Sequence, residues 1–193
     1  MNLTEVMKER HSVRQYTDKP LEQSVVSALQ EEIKACNQES GLHIQLVMNE
    51  PKAFDGFMAH YGKFSGVTNY IAMIGKKGPE LDEKCGYYGE RLVLKAQQLG
   101  LNTCWVAMTY SKVKTAFTVN SGEKLCIVIS LGYRKNEGVP HKSKPVEAVT
   151  KSTLVSQNTI LRLAREKRIS PGPESHLALI FSQTSSSNCL SLK

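Results

Sequence analysis

The stretch GYYGERLVLKAQQLGLNTCWVAM, residues 86 to 108, holds the two periodicities from which the fold is read. With the preceding DEKC, its first part brings Tyr88, Leu92, Ala96 and Leu99 onto one side at steps of three and four, the spacing of a helix with one buried stripe. Gly100 supplies the stop, because the position just past a helix often takes the left-handed conformation that glycine adopts without strain. NTCWVAM, from residue 102, is short and rich in β-branched and aromatic residues, and reads as a strand. A helix that hands over to a strand within three residues belongs to a layered domain, provided that other strands exist for it to pair with.

Those strands are LHIQLVMN at 42 to 49, NYIAMIGKK from 69 and KLCIVISLGY from 124. Further helices frame them. Asn2 with Glu5 three residues on makes a capping-box start for a short helix with Leu3, Val6 and Met7 on its apolar face. Pro20 suits the first turn of a second helix, in which Leu21, Val25, Leu29 and Ile33 recur every four residues. Ser111 is placed to cap another short helix, SKVKTAF. The expected class is α+β, with one sheet and helices packed on it.

At 193 residues and 40% apolar content, the chain can bury one substantial core. No apolar run approaches the roughly 20 residues that cross a bilayer, and MNLTEVMKERHS lacks a signal-peptide core, so the expectation is a cytoplasmic protein with no membrane partner. The five cysteines, Cys36, Cys85, Cys104, Cys126 and Cys189, are odd in number, widely spaced and mostly set in apolar segments; they read as buried thiols rather than a disulfide framework or zinc site. The net charge is +7, but residues 1–150 carry 19 basic against 16 acidic residues and residues 151–193 carry 6 against 2. More than half of the excess therefore sits in the last quarter, and nucleic acid is not an expected partner.

HExxH, paired CxxC, Walker-loop and GxSxG motifs are all missing, which removes the usual signals of metal hydrolysis, zinc binding, ATP cleavage and serine hydrolysis. GKKG at 75 to 78 reads as a turn, and His11, His43, His60, His141 and His176 are scattered. KERHSVRQYTDKPL, residues 8 to 21, puts two arginines and a hydroxyl into one short connection; taken alone it would be a solvated helix end.

Taken together, ERHSVRQYTDKPL, GYYGERLVLKAQQLGLNTCWVAM and ISLGYRKNEGVPHKSKPVEAV at 129 to 149 resemble, in order and spacing, the FMN-dependent nitroreductase family, and within it the Thermotoga-type branch. NQESGLHIQLV at 37 to 47 and YGKFSGVTNYIAMIGKK at 61 to 77 are similar to that branch as well, so the resemblance covers about the first 150 residues. It implies a nitroreductase-like fold, a central mixed sheet flanked by helices. It implies FMN as cofactor, NADH or NADPH as electron donor, and a small-molecule acceptor of nitroaromatic or quinone type. It also implies a homodimer, since many members place FMN at a subunit interface.

The resemblance carries roles over residue by residue. Arg10, Ser12 and Arg14, with His11 among them, match the RxSxR connection that wraps the flavin. Arg10 and Ser12 are candidates for the phosphate, which wants guanidinium and hydroxyl donors. Arg14 falls to the N1 and O2 edge of the isoalloxazine, where a cation favours the reduced state. Lys142 and Lys144 match the basic segment that closes over the phosphate. WVAM suggests Val106, Ala107 and Met108 as ring contacts, although core packing is the better reading of Trp105 and Val106. Asn69 stands at a flavin-edge position before a strand. No side-chain nucleophile is expected, because the flavin carries the chemistry.

After Val149 the pattern departs from the family. Residues 151–193 hold nine serines, a Pro-Gly-Pro break at 171 to 173, and neither the expected A-P-T-A-x-N-Q-Q motif nor further strands. The expected division is a nitroreductase-like domain at 1–150 and an atypical tail at 151–193, truncated or frame-shifted from about residue 158. The alternative function is a catalytically silent remnant or a flavin-independent binding module. A polyanion-binding role for the basic tail ranks third.

Overall fold

The computed structural model describes residues 2–138 and Lys144. The chain divides into two compact units, Met1–Pro140 and His141–Lys193, and every element named below belongs to the first.

Helix α1 (Leu3–Glu9) starts with the reciprocal cap read from the sequence: the Glu5 amide donates to Asn2 Oδ1 at 3.0 Å and the Asn2 amide to Glu5 Oε2 at 2.9 Å. Helix α2 (Gln23–Ser40) buries Val25, Val26, Leu29, Ile33 and Cys36 and stops at Gly41, which takes the left-handed conformation. Pro20 is not in its first turn. The chain stays extended through the cap residue Glu22, and Leu21 packs on the core from this entry segment. Strand β1 (Gln45–Val47) is followed by a 3-10 turn at Lys52–Phe54 and the five-residue helix α3 (Phe57–Tyr61). Strand β2 (Asn69–Lys76), helix α4 (Leu81–Gln98), strand β3 (Asn102–Val106) and strand β4 (Glu123–Gly132) complete the elements. Arg91 forks from α4 to two carboxylates of α2, Glu32 at 2.6 Å and Glu39 at 2.7 Å. No described helix is long and apolar enough to cross a membrane.

The strands form one sheet in the order β1-β2-β4-β3, and all three strand pairs are antiparallel. The parallel component of the expected mixed sheet is confined, among the described residues, to single bridges at Ser12–Thr103 and Gln15–Ser65. Side chains alternate across the sheet and feed two cores. Ile71, Met73, Ile129 and Leu131 pack with Leu29, Ile33, Leu92 and Val93 of α2 and α4. Tyr70, Val106 and Val128 pack on the opposite side with Val13, Tyr16, Phe54 and Phe64.

One more local expectation changes. Residues 111–117 form turns rather than a helix: the Ser111 amide donates to the Ala53 carbonyl at 2.7 Å, and Val113, Ala116 and Phe117 lean into the second core. Tertiary contacts override the local preference for a capped helix here. In β4, Ile127 pairs with Met73 and Leu125 with Ile74, which leaves Cys126 as the extra residue of a β-bulge. Cys36, Cys85 and Cys104 are buried free thiols and Cys126 is half-buried; Cys189 lies outside the described residues.

Candidate functional site

The connection from Arg10 to Thr17 is sewn to the sheet by its backbone. The Val13 amide donates to the Thr103 carbonyl at 3.0 Å, the Tyr16 amide to Ser65 at 3.0 Å and the Thr17 amide to Tyr133 at 2.8 Å. Ser65 returns its own amide to the Arg14 carbonyl at 3.0 Å. Inside, the Tyr16 hydroxyl donates to the Val13 carbonyl at 2.6 Å and meets Ser130 Oγ at 2.9 Å; burial pushes this phenol far above its ordinary value, so it stays neutral. Gly66, at φ 69°, lies against the Tyr16 carbonyl where any Cβ would overlap it, so the strap and the 64–66 turn require glycine there.

A strap fixed in this way divides its side chains. Arg10 turns inward, 14% exposed, with Nε 3.6 Å from Glu90 Oε1; the Glu90 side chain is 4% exposed. The other Glu90 oxygen accepts from Trp105 Nε1 at 3.3 Å. The Trp105 ring lies directly on Gly89 of α4, where a Cβ would overlap it. Burial raises the Glu90 carboxyl above its usual value, while Arg10 and the Trp105 hydrogen bond pull it back. Arg10 Nη1 is buried and has no hydrogen-bond partner among the described residues.

Ser12 and Arg14 are exposed and gather instead at the Cys104 sulfur, which faces the second core. Burial raises that thiol, and Arg14 and Ser12 partly offset the rise. The Arg14 guanidinium carbon also stands 6.0 Å from the centre of the Phe64 ring. His11 spans two carbonyls, with Nδ1 3.0 Å from Glu9 O and Nε2 2.6 Å from Glu137 O. A neutral imidazole has one N–H, so both contacts are hydrogen bonds only in the imidazolium form.

The remaining candidates sit apart. Asn69 lies opposite Leu131, Leu131 opposite Thr103, and Thr103 bridges to Ser12. Three strand spacings, about 14 Å, therefore separate Asn69 from Ser12. Its buried amide oxygen accepts from the Asn49 amide at 3.1 Å and its nitrogen donates to Thr68 Oγ1 at 3.1 Å, which holds the left-handed turn at Asn49. Val106 is buried in the second core. Ala107 and Met108 emerge exposed from the end of β3. The following residues, Thr109 and Ser111, lie against the glycines that flank α3, whose Phe57 and Tyr61 are 82% and 76% exposed. Lys144 is exposed, and Lys142 lies outside the described residues.

The structure thus joins Arg10, His11, Ser12 and Arg14 to the start of β3, and adds Glu90, Trp105 and Cys104, which the sequence reading had not singled out. Glu90 carried a usable signal: a carboxylate three and four positions before Val93 and Leu94, and so on their side of the helix, is a charge that needs a partner. Nothing in the sequence said that the partner is Arg10.

Comparison with known proteins bears on the family and the fold. A family described as "Putative TM nitroreductase" matches residues 2–174, past the first 150 residues. Among curated proteins there is no match. A solved structure from Parabacteroides distasonis, titled "Putative NADH dehydrogenase/NAD(P)H nitroreductase", is 21% identical and superposes with a TM-score of 0.61 over 80% of this chain and 100% of its own. A nitroreductase family protein from Clostridium difficile is 16% identical, with a TM-score of 0.60 and the same two coverages. A nitroreductase with bound FMN from Bacteroides fragilis is 23% identical, with a TM-score of 0.57 over 81% of this chain and 100% of its own. At these identities the likeness is one of fold.

Proposed function

The chain belongs to the "Putative TM nitroreductase" family, and from that premise we propose that it is an FMN oxidoreductase that moves hydride from NADH or NADPH to nitroaromatic or quinone-like acceptors. FMN, when bound, supplies the centre that accepts hydride from one substrate and donates it to the other. The observation that carries the reading is the Arg10 guanidinium, buried on the strap with Nη1 left without a partner. A buried N–H with no acceptor is costly, and a phosphate of about −1.5 to −2 charge is an acceptor that would repay it.

The other residues fit the same group. Ser12 adds a hydroxyl from the exposed side of the strap, and Arg14 a second guanidinium whose charge suits the carbonyl-bearing edge of a flavin. Glu90 and Trp105 orient Arg10. His11 ties the strap to Glu137. Lys142 and Lys144 stand as the further phosphate candidates by the family resemblance alone. Ala107 and Met108 offer an exposed apolar ledge beyond β3 for the ring. Asn69 enters only as the support of the Asn49 turn. A second copy of this chain is proposed to cover Phe57, Tyr61 and Met108, three large apolar side chains left open to water.

Titration of the purified chain with FMN, followed by quenching of flavin fluorescence, tests the proposal. Saturable binding is expected. Arg10→Ala should weaken it by the 1.5 to 3 kcal/mol typical of a charged hydrogen bond, roughly ten- to a hundredfold. A thermal melt of the variant shows whether the loss is one of fold, and the exposed Arg14→Ala gives a second reading free of that problem. Absence of binding by the wild type would remove the enzyme reading and favour the silent remnant.

A further inference from the structure

On the sheet face away from the strap, two thiols meet. Counted back from Ile127, strand alternation alone would turn Cys126 to the other face and bring Leu125 back beside Ile127, because successive residues of a strand point to opposite faces. Here Cys126 and Ile127 both pack on the α2–α4 core, while Leu125 packs on the other. The β-bulge is the reason. With Met73 opposite Ile127 and Ile74 opposite Leu125, Cys126 is the unpaired extra residue, and its side chain is aimed at α4. Cys85, in the second turn of α4, waits there and hydrogen-bonds to it.

The surroundings give the two sulfurs different characters. Cys85 is 1% exposed, whereas Cys126 is half-buried. Cys126 Sγ donates to Asp82 Oδ1 at 3.3 Å, and Lys124 Nζ stands 3.6 Å from the same oxygen. The hydrogen bond from Cys85, helped by Lys124, lowers the Cys126 thiol below its ordinary value against the opposing pull of burial and Asp82. Cys85 is pushed the other way, by its bond to Cys126 and by burial. One accessible sulfur that ionises more readily, beside a sheltered sulfur that does not, is the division of labour between an attacking and a resolving thiol.

We propose that Cys85 and Cys126 form a reversible intramolecular disulfide when the protein meets a hydroperoxide, which makes the α4–β4 contact a redox-sensitive site. Cys126 passes its proton to Asp82 and its thiolate attacks the outer peroxide oxygen. The O–O bond breaks, the alcohol or water leaves with a proton, and Cys126 becomes a sulfenic acid. Cys85 sulfur then attacks Cys126 sulfur; the S–O bond breaks and the hydroxyl departs as water with the Cys85 proton. Two thiols have lost two electrons and two protons, and one peroxide has been reduced. The sulfurs must close to about 2.05 Å, and an unpaired bulge residue can move with less disruption of the sheet than a laddered one.

Peroxide oxidation of the reduced full chain, followed by alkylation and peptide mass mapping, tests this. A Cys85–Cys126 linked peptide, lighter by two hydrogens, should accumulate as the main product and vanish on treatment with dithiothreitol, while Cys36 and Cys104 stay alkylated. Cys85→Ser should stall Cys126 as a sulfenic acid that dimedone captures, and Cys126→Ser should leave Cys85 reduced. The proposal is overturned if Cys126 links instead to Cys189 or to a second chain, runs on to the sulfinic acid unlinked, or is outpaced by Cys36 or Cys104. It is equally overturned if no thiol reacts. The wild-type map decides even if a variant fails to fold.

Discussion

The two faces of the sheet are built by different means. One is covered by α2 and α4, helices of 18 residues each, whose apolar stripes meet the strands along their length. The other is covered by a three-residue 3-10 turn, the five-residue α3 and the turns after β3, held together by an aromatic group in which Phe54 lies 5.2 Å from Phe64 and 5.9 Å from Tyr70. The strap from Arg10 to Thr17 runs at the border, sending Arg10 to the helical side and Ser12 and Arg14 to the irregular one. Regular packing supplies rigidity. Short elements leave polar and apolar groups open, and there the exposed candidates Ser12, Arg14, Ala107 and Met108 collect, while Arg10 stays on the helical side.

If the helical face is the rigid one, truncating Leu92, which is fully buried there, should cost about 2 to 5 kcal/mol in a urea titration, because long helices cannot collapse into the cavity left by Leu92→Ala. A loss under about 1 kcal/mol would show that this face relaxes as freely as the other. At the border, Glu90 holds its proton more firmly in the folded chain than at its ordinary value of 4.5. Between that value and its higher folded one the native state therefore binds more protons than the unfolded state, so this group lowers stability as pH rises. Glu90→Gln should flatten that part of the stability curve, measured as urea midpoints from about pH 4 to 8. An unchanged slope would mean that Arg10 and Trp105 cancel the effect of burial.

Smaller effects sharpen the contrast. Asn2→Ala removes the side-chain half of the α1 cap and should cost about 1 kcal/mol. Phe57→Ser, on the irregular face, should change the stability of the single chain by no more than about 0.5 kcal/mol. Light scattering of the same variant should show a weakened dimer; an unaltered mass would place the interface elsewhere.

Much of the architecture was legible because it depends on neighbours in sequence. The stripe of α4, the left-handed stop at Gly100 and the Asn2–Glu5 cap are each settled within one or two turns of helix. Pro20 and Ser111 misled for the opposite reason. Their local preferences were met by the sequence, but Leu21 packs from an extended segment and the Ser111 amide is taken by Ala53. At the site, the residue types on the strap could be read directly, whereas the division between Arg10 and its neighbours could not.

The sequence by itself determined the α+β class, the order of α1, α2, α4 and the four strands, and the presence of two guanidiniums and a hydroxyl on one short connection, since periodicity, caps and composition are properties of short stretches. Only the tertiary structure decided that Glu90 meets Arg10 across 80 residues, that a bulge turns Cys126 toward Cys85, and that Asn69 serves a turn. These are pairings between distant segments, and which partner a buried charge or thiol finds is set by the register of strands and the seating of helices, not by the residues beside it in the chain.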